Sequence, residues 1–420
     1  MDGDEAVLNE VASGILKPIP CNFVERPWGG MLIREYKRLC PLPDQARIAG
    51  AGLGEAFEIA AYDADEEARA HPSRIRFEDG SQVVLPALLR RHSVRFLGQP
   101  LSDAYGGAFP LLPKTLDIRE LLSVQGHPEG HTEAYVIIEA EPGATLRVGF
   151  NRDIDPAELE EDLRRGRAWQ LRLLEIVGER LSPARLQDLL SPWLADRAAS
   201  RADLPAELTD ALPAGSDALE LLDNLKWIYW QVLDSMNAIP VEAGMVVHNA
   251  NPARIVAETG RAPSAEVHAL GNPEGLEILA LEIRRPGPTL RAWDNVRFPL
   301  RRIDIREAIR VLNLKRVDPE ELIARHEPVG PAVLRSVSDP SFEIEHLRPA
   351  VRVPADVAPQ DPHCLHCIAG RVEIRGVDGR PLGGLERGES ALVPIGVGGY
   401  RVSAVEEPAE IVKVNLTAAR

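Results

Sequence analysis

The sequence predicts a mainly β protein built from two antiparallel units of sandwich or barrel type, the first of them interrupted by helices. Three changes of texture carry that expectation. From about residue 18 to 152, short apolar runs such as "SQVVLPALL", "AYVIIEA" and "ATLRVGF" are separated by turn dipeptides like Pro142-Gly143, the pattern of short strands closed by tight turns. From 155 to 238 apolar residues recur three and four apart. "DPAELEEDLRRGRAWQLRLLEIV" opens on Asp155-Pro156, a helix start, and "SPARLQDLLSPWLADRAA" and "DALELLDNLKWIYWQVLDSM" predict two more helices whose Leu, Trp and Tyr positions suit helix packing. Strand texture returns at "AIPVEAGMVVHNA" and runs through "GLEILALEIRRPGPTLRAWDNVRF". A short helix, "DIREAIRVLNL", and an acidic, proline-containing connector near 318 to 332 lead into a final stretch of strands and turns. The expected domains are a first β unit over 1–154 and 239–317, a helical insertion over 155–238 and a second β unit over 318–420.

Composition removes several classes of function. The chain has 420 residues, 45% hydrophobic and 27% charged, which is ordinary globular material able to bury a large core. Its 48 basic and 64 acidic residues leave a formal charge of -16, so a nucleic-acid or anionic-membrane partner is not expected. A small anion remains open, because a few converging Arg and Lys reverse the field locally. The start, "MDGDEAVLNEVASGILK", lacks the basic-then-apolar pattern of a secretory signal, and no apolar run approaches the roughly 18 residues of a membrane span. Four cysteines, Cys21, Cys40, Cys364 and Cys367, are too few for a disulfide framework at this length. A cytoplasmic protein is expected; its oligomeric state is not legible.

The densest concentration of chemistry is "LLSVQGHPEGHTEAYVII", residues 121 to 138, where Gln125, His127, His131 and Glu133 fall between two strand-forming runs. Alternate residues of a strand share a face, so Gln125, His127 and, beyond the turn at Pro128 to Gly130, Glu133 can converge, with His131 on the same face as Glu133. Buried imidazole and carboxylate groups are costly unless paired or bound to a cation. Such a set suits zinc, with iron, manganese, cobalt or nickel as alternatives. The same residues also fit an ordinary hairpin with hydrogen-bonded polar edges.

The surrounding motifs decide between these readings. "LLPKTLDIRELLSVQGHP" followed by "TEAYVIIEAEPGATLRVGF" resembles the signature of type I mannose-6-phosphate isomerase, a metal-dependent cupin family. The likeness extends to "ERPWGG" at 25 to 30, "LGEAFEIA" at 53 to 60, the run from Val241 into "EIRRPGPTLRAWDNVRF", and "LERGESALVPIG", which is similar to the family's second cupin unit. The resemblance implies two cupin-like, jelly-roll β units with the helices inserted in the first. It implies a divalent metal, Zn2+ foremost, held by Gln125, His127, Glu133 and a distant histidine. "PSAEVHALG" matches the length and ending of the segment that bears the last ligand, which puts it at His268; His248 in "VEAGMVVH" is the competitor, one residue out of spacing. The stretch between the two histidines would then be an insertion.

The implied reaction interconverts mannose 6-phosphate and fructose 6-phosphate through an enediol. It needs a base near C1 and C2 and a cation for the developing oxyanion. Glu282 in "LALEIRRPG" is the leading base by its likeness to a family Glu, with His131 as rival; Glu282 can also be read as support for a metal ligand. For the phosphate, Arg291 matches the family's active-site Arg, Arg297 lies at the spacing of a second basic residue, and Lys114 in "LPKTLD" matches a motif Lys. Ser123 could add a hydroxyl, and Trp28 closes or lines the cleft.

Departures from the family pattern count too. "GHTEAY" carries His131 where the family has a Lys, exchanging a permanent charge for a switchable one, so a different phosphosugar or a free sugar is open. The alternative reading is a divergent or non-catalytic cupin that keeps the metal and binds a sugar or another small anion. "HCLHC" at 363 to 367 has a Cys-x-x-Cys unit but no second Cys pair nearby, and its alternation fits a half-buried strand. His71, His92, His326 and His346 have no supporting pattern.

Overall fold

Antiparallel pairing organises the chain. The computed structural model describes residues 12–38, 52–62, 66–77 and 80–417; Cys40 and the first eleven residues lie outside these. The strands of the first part are β1 (Phe23–Gly30), β2 (Leu53–Phe57), β3 (Arg74–Arg76), β4 (Gln82–Val84), β5 (Lys114–Ile118), β6 (Val124–Gly126) and β7 (Glu133–Ala140). They continue with β8 (Thr145–Phe150), β9 (Met236–Pro240), β10 (Val246–Asn249), β11 (His268–Ala269), β12 (Ile278–Arg284) and β13 (Leu290–Trp293). One sheet has the order β1-β2-β5-β12-β7-β10 and a second has β13-β6-β11-β8-β9, while β3 and β4 form a small hairpin of their own.

The alternation of side chains along the six-stranded sheet sorts its neighbours. Tyr135, Ile137, Leu116, Ile118, Ile278, Ala280 and Val247 share a core with Leu146 and Val148 of the five-stranded sheet, so the two sheets face each other. Ala134, Val136, Leu279, Leu281 and Ile283, on the opposite face, pack with Phe342, Ile344, Leu392, Val412 and Val414 from the last part of the chain. That last part forms a third, eight-stranded antiparallel sheet between Glu327 and Leu416. The protein is thus mainly β with several antiparallel sheets, as expected from the strand texture.

The predicted helices fall where the periodicity put them: Pro156–Val177, Pro183–Ala195 and Ala218–Asp234. Asp155 caps the first by accepting from the backbone N–H groups of Ala157 and Glu158, and Pro156 sits in the first turn, where its missing N–H costs nothing. These helices bury Leu173, Leu186, Leu190, Leu222, Leu225 and Ile228 against the outer face of the five-stranded sheet, through Val124, Phe150, Val267 and Trp293. They enter and leave at one point: β8 pairs with β9, and Asn151 N–H donates to Ser235 C=O at 2.9 Å. No helix among the described residues is long and apolar enough to cross a membrane.

One expectation needs correction. "SQVVLPALL" was expected to be strand, but only Gln82–Val84 is extended, and a helix runs from Leu85 to Arg91 with another from Ser93 to Tyr105. Pro86 lies in the first turn of the former, so the proline that looks like a strand terminator is a helix initiator. A further helix, Ala253–Thr259, occupies the stretch between His248 and His268.

Candidate metal centre and the cleft beside it

The two facing sheets bring distant residues into one cluster. In the five-stranded sheet His268 of β11 lies opposite Gln125 of β6, and Gln125 lies opposite Arg291 of β13. In the six-stranded sheet Arg284, Glu133 and Asn249 are in register across β12, β7 and β10. Two positions along, Lys114, Glu282 and Tyr135 form a second row on the same face. The period of two in each strand aims both rows at the gap between the sheets.

His127, Glu133 and His268 meet there, each almost wholly buried, with one donor atom from each within 4.8 Å of the others. His127 Nδ1 is 3.0 Å from Pro288 C=O and His268 Nδ1 is 2.9 Å from Glu266 C=O. A carbonyl only accepts, so both Nδ1 atoms carry the proton and both Nε2 atoms present lone pairs. His127 Nε2 lies 2.9 Å from Glu133 Oε1 without forming a hydrogen bond, and His268 Nε2 lies 3.4 Å from Glu133 Oε2. Burial pushes His268 down to about 4, so it is neutral at pH 7. Burial opposes ionisation of Glu133, yet attraction to His127 and His268 when these carry a second proton, and to Arg284, holds its carboxyl well below the usual carboxylate range. Two imidazole lone pairs and a carboxylate turned toward one another repel unless a cation sits among them. The donor set therefore fits a divalent metal.

Gln125 stands beside the cluster, its amide nitrogen 2.9 Å from His268 Nε2 and its oxygen accepting from Ser123 Oγ at 3.2 Å. Exchanging the two ends of the amide, which are alike in shape, turns the oxygen to the cluster side. His248 is not part of it. Strand alternation in β10 sends Asn249 inward and His248 outward, where Nε2 meets Asp339 at 3.1 Å against the C-terminal part.

A cleft opens next to the cluster, lined by Trp28, Glu55, Lys114, Ser123, Gln125, Glu133, Glu282 and Arg291 together with Arg26, Arg284, Thr289 and Arg301. Lys114 Nζ lies between two carboxylates, 3.9 Å from Glu55 and 3.8 Å from Glu282. Burial raises Glu282 to about 7 against the opposing pull of Lys114. Arg291 Nε donates to Ser123 Oγ at 3.1 Å.

Two expected residues lie elsewhere. The ring of His131 packs on Gly287, so closely that a Cβ there would fall 2.2 Å from it, and is absent from the cleft lining. Burial, then the charges of His127, Arg284 and Arg285, push this imidazole down, so it does not replace a lysine's fixed charge. Arg297 is buried in its own loop, donating to Leu121 C=O at 2.7 Å, with Asp294 3.4 Å away. The chain turns there through Asn295 and Val296, both at positive φ, a conformation a β-branched residue rarely adopts. That turn points Arg297 inward and gives the cleft position to Arg301, which is ion-paired with Asp294. Sequence reading missed Arg301, Arg26, Arg284 and Glu55. "ERPWGG" and "LGEAFEIA" held the first and last of the missed set's β1–β2 pair, Arg26 and Glu55, 2.9 Å apart.

In "HCLHC", His363 is bonded to Tyr400 Oη at 2.7 Å and His366 to Tyr36 Oη at 2.6 Å, while Cys364 and Cys367 are buried free thiols. The segment is structural strand, as its alternation implies.

No known family's sequence profile and no curated protein matches the chain. Solved structures do. The mannose 6-phosphate isomerase of Bacillus subtilis is similar with a TM-score of 0.61 at 16% identity, over 96% of this chain and 100% of that one. A variant phosphomannose isomerase of Salmonella typhimurium gives 0.62 at 16% identity, over 96% and 100%. A mannose 6-phosphate isomerase bound with zinc and yttrium gives 0.60 at 16% identity, over 96% and 99%. Near-complete coverage on both sides, at identities this low, makes the likeness one of architecture: the chain has the fold of the mannose-6-phosphate isomerases.

Proposed function

We propose that the protein is a zinc-dependent aldose-ketose isomerase that interconverts mannose 6-phosphate and fructose 6-phosphate. The observation that carries the reading is the convergence of the His127 and His268 lone pairs on Glu133, beside a cleft that holds a carboxylate titrating near 7 and several arginines. His127, Glu133 and His268 would hold the metal, with Gln125 completing the set once its oxygen faces them. A bound divalent ion supplies positive charge for the oxyanion that develops as the carbonyl moves between C1 and C2.

This chain's own groups do the rest. Glu282 takes the proton from C2 and returns it to C1 while the hydroxyl proton of O2 passes to O1, and its titration near 7 suits a group that must both accept and donate. Lys114, held by Glu55 and Glu282, keeps that carboxylate able to ionise inside the sheet gap. Arg291 and Arg301 hold the phosphate, Ser123 steadies Arg291, and Trp28 walls the cleft. In domain terms we read 1–154 with 239–317 as a catalytic cupin, 155–238 as its helical insertion and 318–420 as a second cupin-like unit, in a cytoplasmic enzyme. The -16 charge, with a local cluster of arginines, fits a small anionic substrate.

The test is an assay of the zinc-loaded full chain with mannose 6-phosphate, free mannose and glucose 6-phosphate. Conversion of mannose 6-phosphate to fructose 6-phosphate, lost on chelation and restored by zinc, is the expected result. Zinc held at one equivalent with none of the three sugars turned over would overturn the enzyme reading in favour of a sugar-binding cupin.

A further inference from the structure

Behind the cluster lies a chain of buried polar groups whose polarity can be worked out atom by atom. Glu266 N–H, which only donates, is 2.8 Å from Asn249 Oδ1, so the Asn249 amide is oriented and its Nδ2 faces Tyr135 Oη and the edge of the His268 ring, 3.2 Å from Tyr135 Oη and 3.2 Å from His268 Nδ1. Tyr135 Oη accepts that bond and has one proton left, which goes to Glu133 Oε2 at 2.5 Å. At the other end Glu266 C=O receives the proton of His268 Nδ1 at 2.9 Å. Asn249, Tyr135, Glu266 and His268 are each fully buried, so water does not compete for these bonds. Asn249 owes its place to the register that sets it opposite Glu133 across β10 and β7.

The relay therefore runs from one cluster residue to another. It ties back Glu133 Oε2, leaving Oε1 on the His127 side, and it fixes the tautomer that gives His268 a lone pair at Nε2. We infer that Tyr135 and Asn249 are positioning residues for the metal centre, setting its affinity by directing the lone pairs of Glu133 and His268. The inference rests on the metal reading above. It explains why a strand-core tyrosine carries its hydroxyl at zero exposure and why an asparagine ends β10 inside the sheet gap.

The experiment measures zinc affinity by competition with a chromophoric chelator, and the visible spectrum of the cobalt-loaded protein, for the full chain and its Tyr135→Phe, Asn249→Ala and doubly substituted forms. Each single substitution is expected to weaken zinc binding about 10- to 100-fold, the range for outer hydrogen-bond partners of metal ligands. The double form should be no weaker than the worse single, because both cut one relay, and the cobalt bands should move in Tyr135→Phe. Affinities within twofold of the unsubstituted chain with an unmoved spectrum would overturn the inference, as would losses that simply multiply. Tyr135→Phe keeps the ring, so it decides alone if Asn249→Ala does not fold. An unsubstituted chain that binds neither ion would instead fail the metal centre itself, a result distinct from intact binding in every variant.

Discussion

The six-stranded sheet carries a buried polar cluster on each face, and the two obey opposite rules. On the C-terminal side Tyr36 Oη meets His366 Nε2 at 2.6 Å, His366 Nδ1 meets Ser390 Oγ at 2.6 Å, and Ser390 Oγ donates to Glu58 Oε2 at 2.6 Å. Thr115 and Lys37 both donate to the other oxygen of Glu58. Each lone pair in that chain faces a proton. On the other face, one residue along β5, Lys114 looks into the gap where the donor atoms of His127, His268 and Glu133 converge and His127 Nε2 faces Glu133 Oε1 at 2.9 Å with no hydrogen bond between them. Equal burial and similar residue types thus have different meanings. A network that closes on its own donors is structural support, while one whose acceptors converge is built around something positive.

Four measurements test this contrast. The largest effect is expected from Glu282→Gln, which removes the proposed base: kcat should fall about 10²- to 10⁴-fold with zinc affinity unchanged, and retention of activity within a few fold would move the base elsewhere. Next, Glu133→Gln should abolish the thermal stabilisation that zinc gives, worth about 2.7 kcal/mol at a hundredfold excess over Kd, while the metal-free protein melts no lower than its parent. A lower melting point in the metal-free variant would mean that Glu133 is structural, like Glu58.

The third is a pH effect. Burial pushes His366 down to about 4 and His363 to about 3, whereas in the unfolded chain both titrate near 6.5. Below that value the unfolded state binds more protons, so the stability present above about 6.5 is lost as pH falls toward 4. The loss should reach roughly 2 kcal/mol per group by pH 5, read from urea midpoints, and His366→Gln should flatten the slope. Smallest is Ser390→Ala, expected to cost about 1–3 kcal/mol by leaving Glu58 and His366 short of a partner, with zinc affinity unmoved. A change in zinc binding there would show that the two faces are coupled.

Residues that announce themselves locally were legible. The helices between β8 and β9 could be placed because periodicity and the Asp155-Pro156 start are local signals. His127 and Glu133 lie six residues apart across the turn that carries the chain from β6 in one sheet to β7 in the other, and His268 was reachable only through a motif likeness, since nothing in its own neighbourhood demands a partner. What could not be read depended on backbone direction or on register between distant strands. Arg297 and Arg301 are alike in sequence, and only the turn through Asn295 and Val296 decides which one reaches the cleft. Tyr135 passes for an ordinary strand aromatic until β10 pairs with β7 and sets Asn249 beside it. "SQVVLPALL" reads as strand because a short apolar run carries no period of its own, and only Pro86 in the first turn marks the helix that begins inside it.

The shared doorway of the helices between β8 and β9 has a consequence for the cost of lengthening the chain there. Because Asn151 and Ser235 are hydrogen-bonded neighbours, the excursion between them spans almost no distance, and a closed loop's entropic cost grows only with the logarithm of its length. Yet Gln187 of these helices accepts from Phe298 N–H at 2.7 Å and Gln170 donates to Arg297 C=O at 3.3 Å, so the helical stretch buttresses the arginine-bearing turn. A stretch whose ends cost little to bring together is thus also one on which the arginine-bearing turn leans.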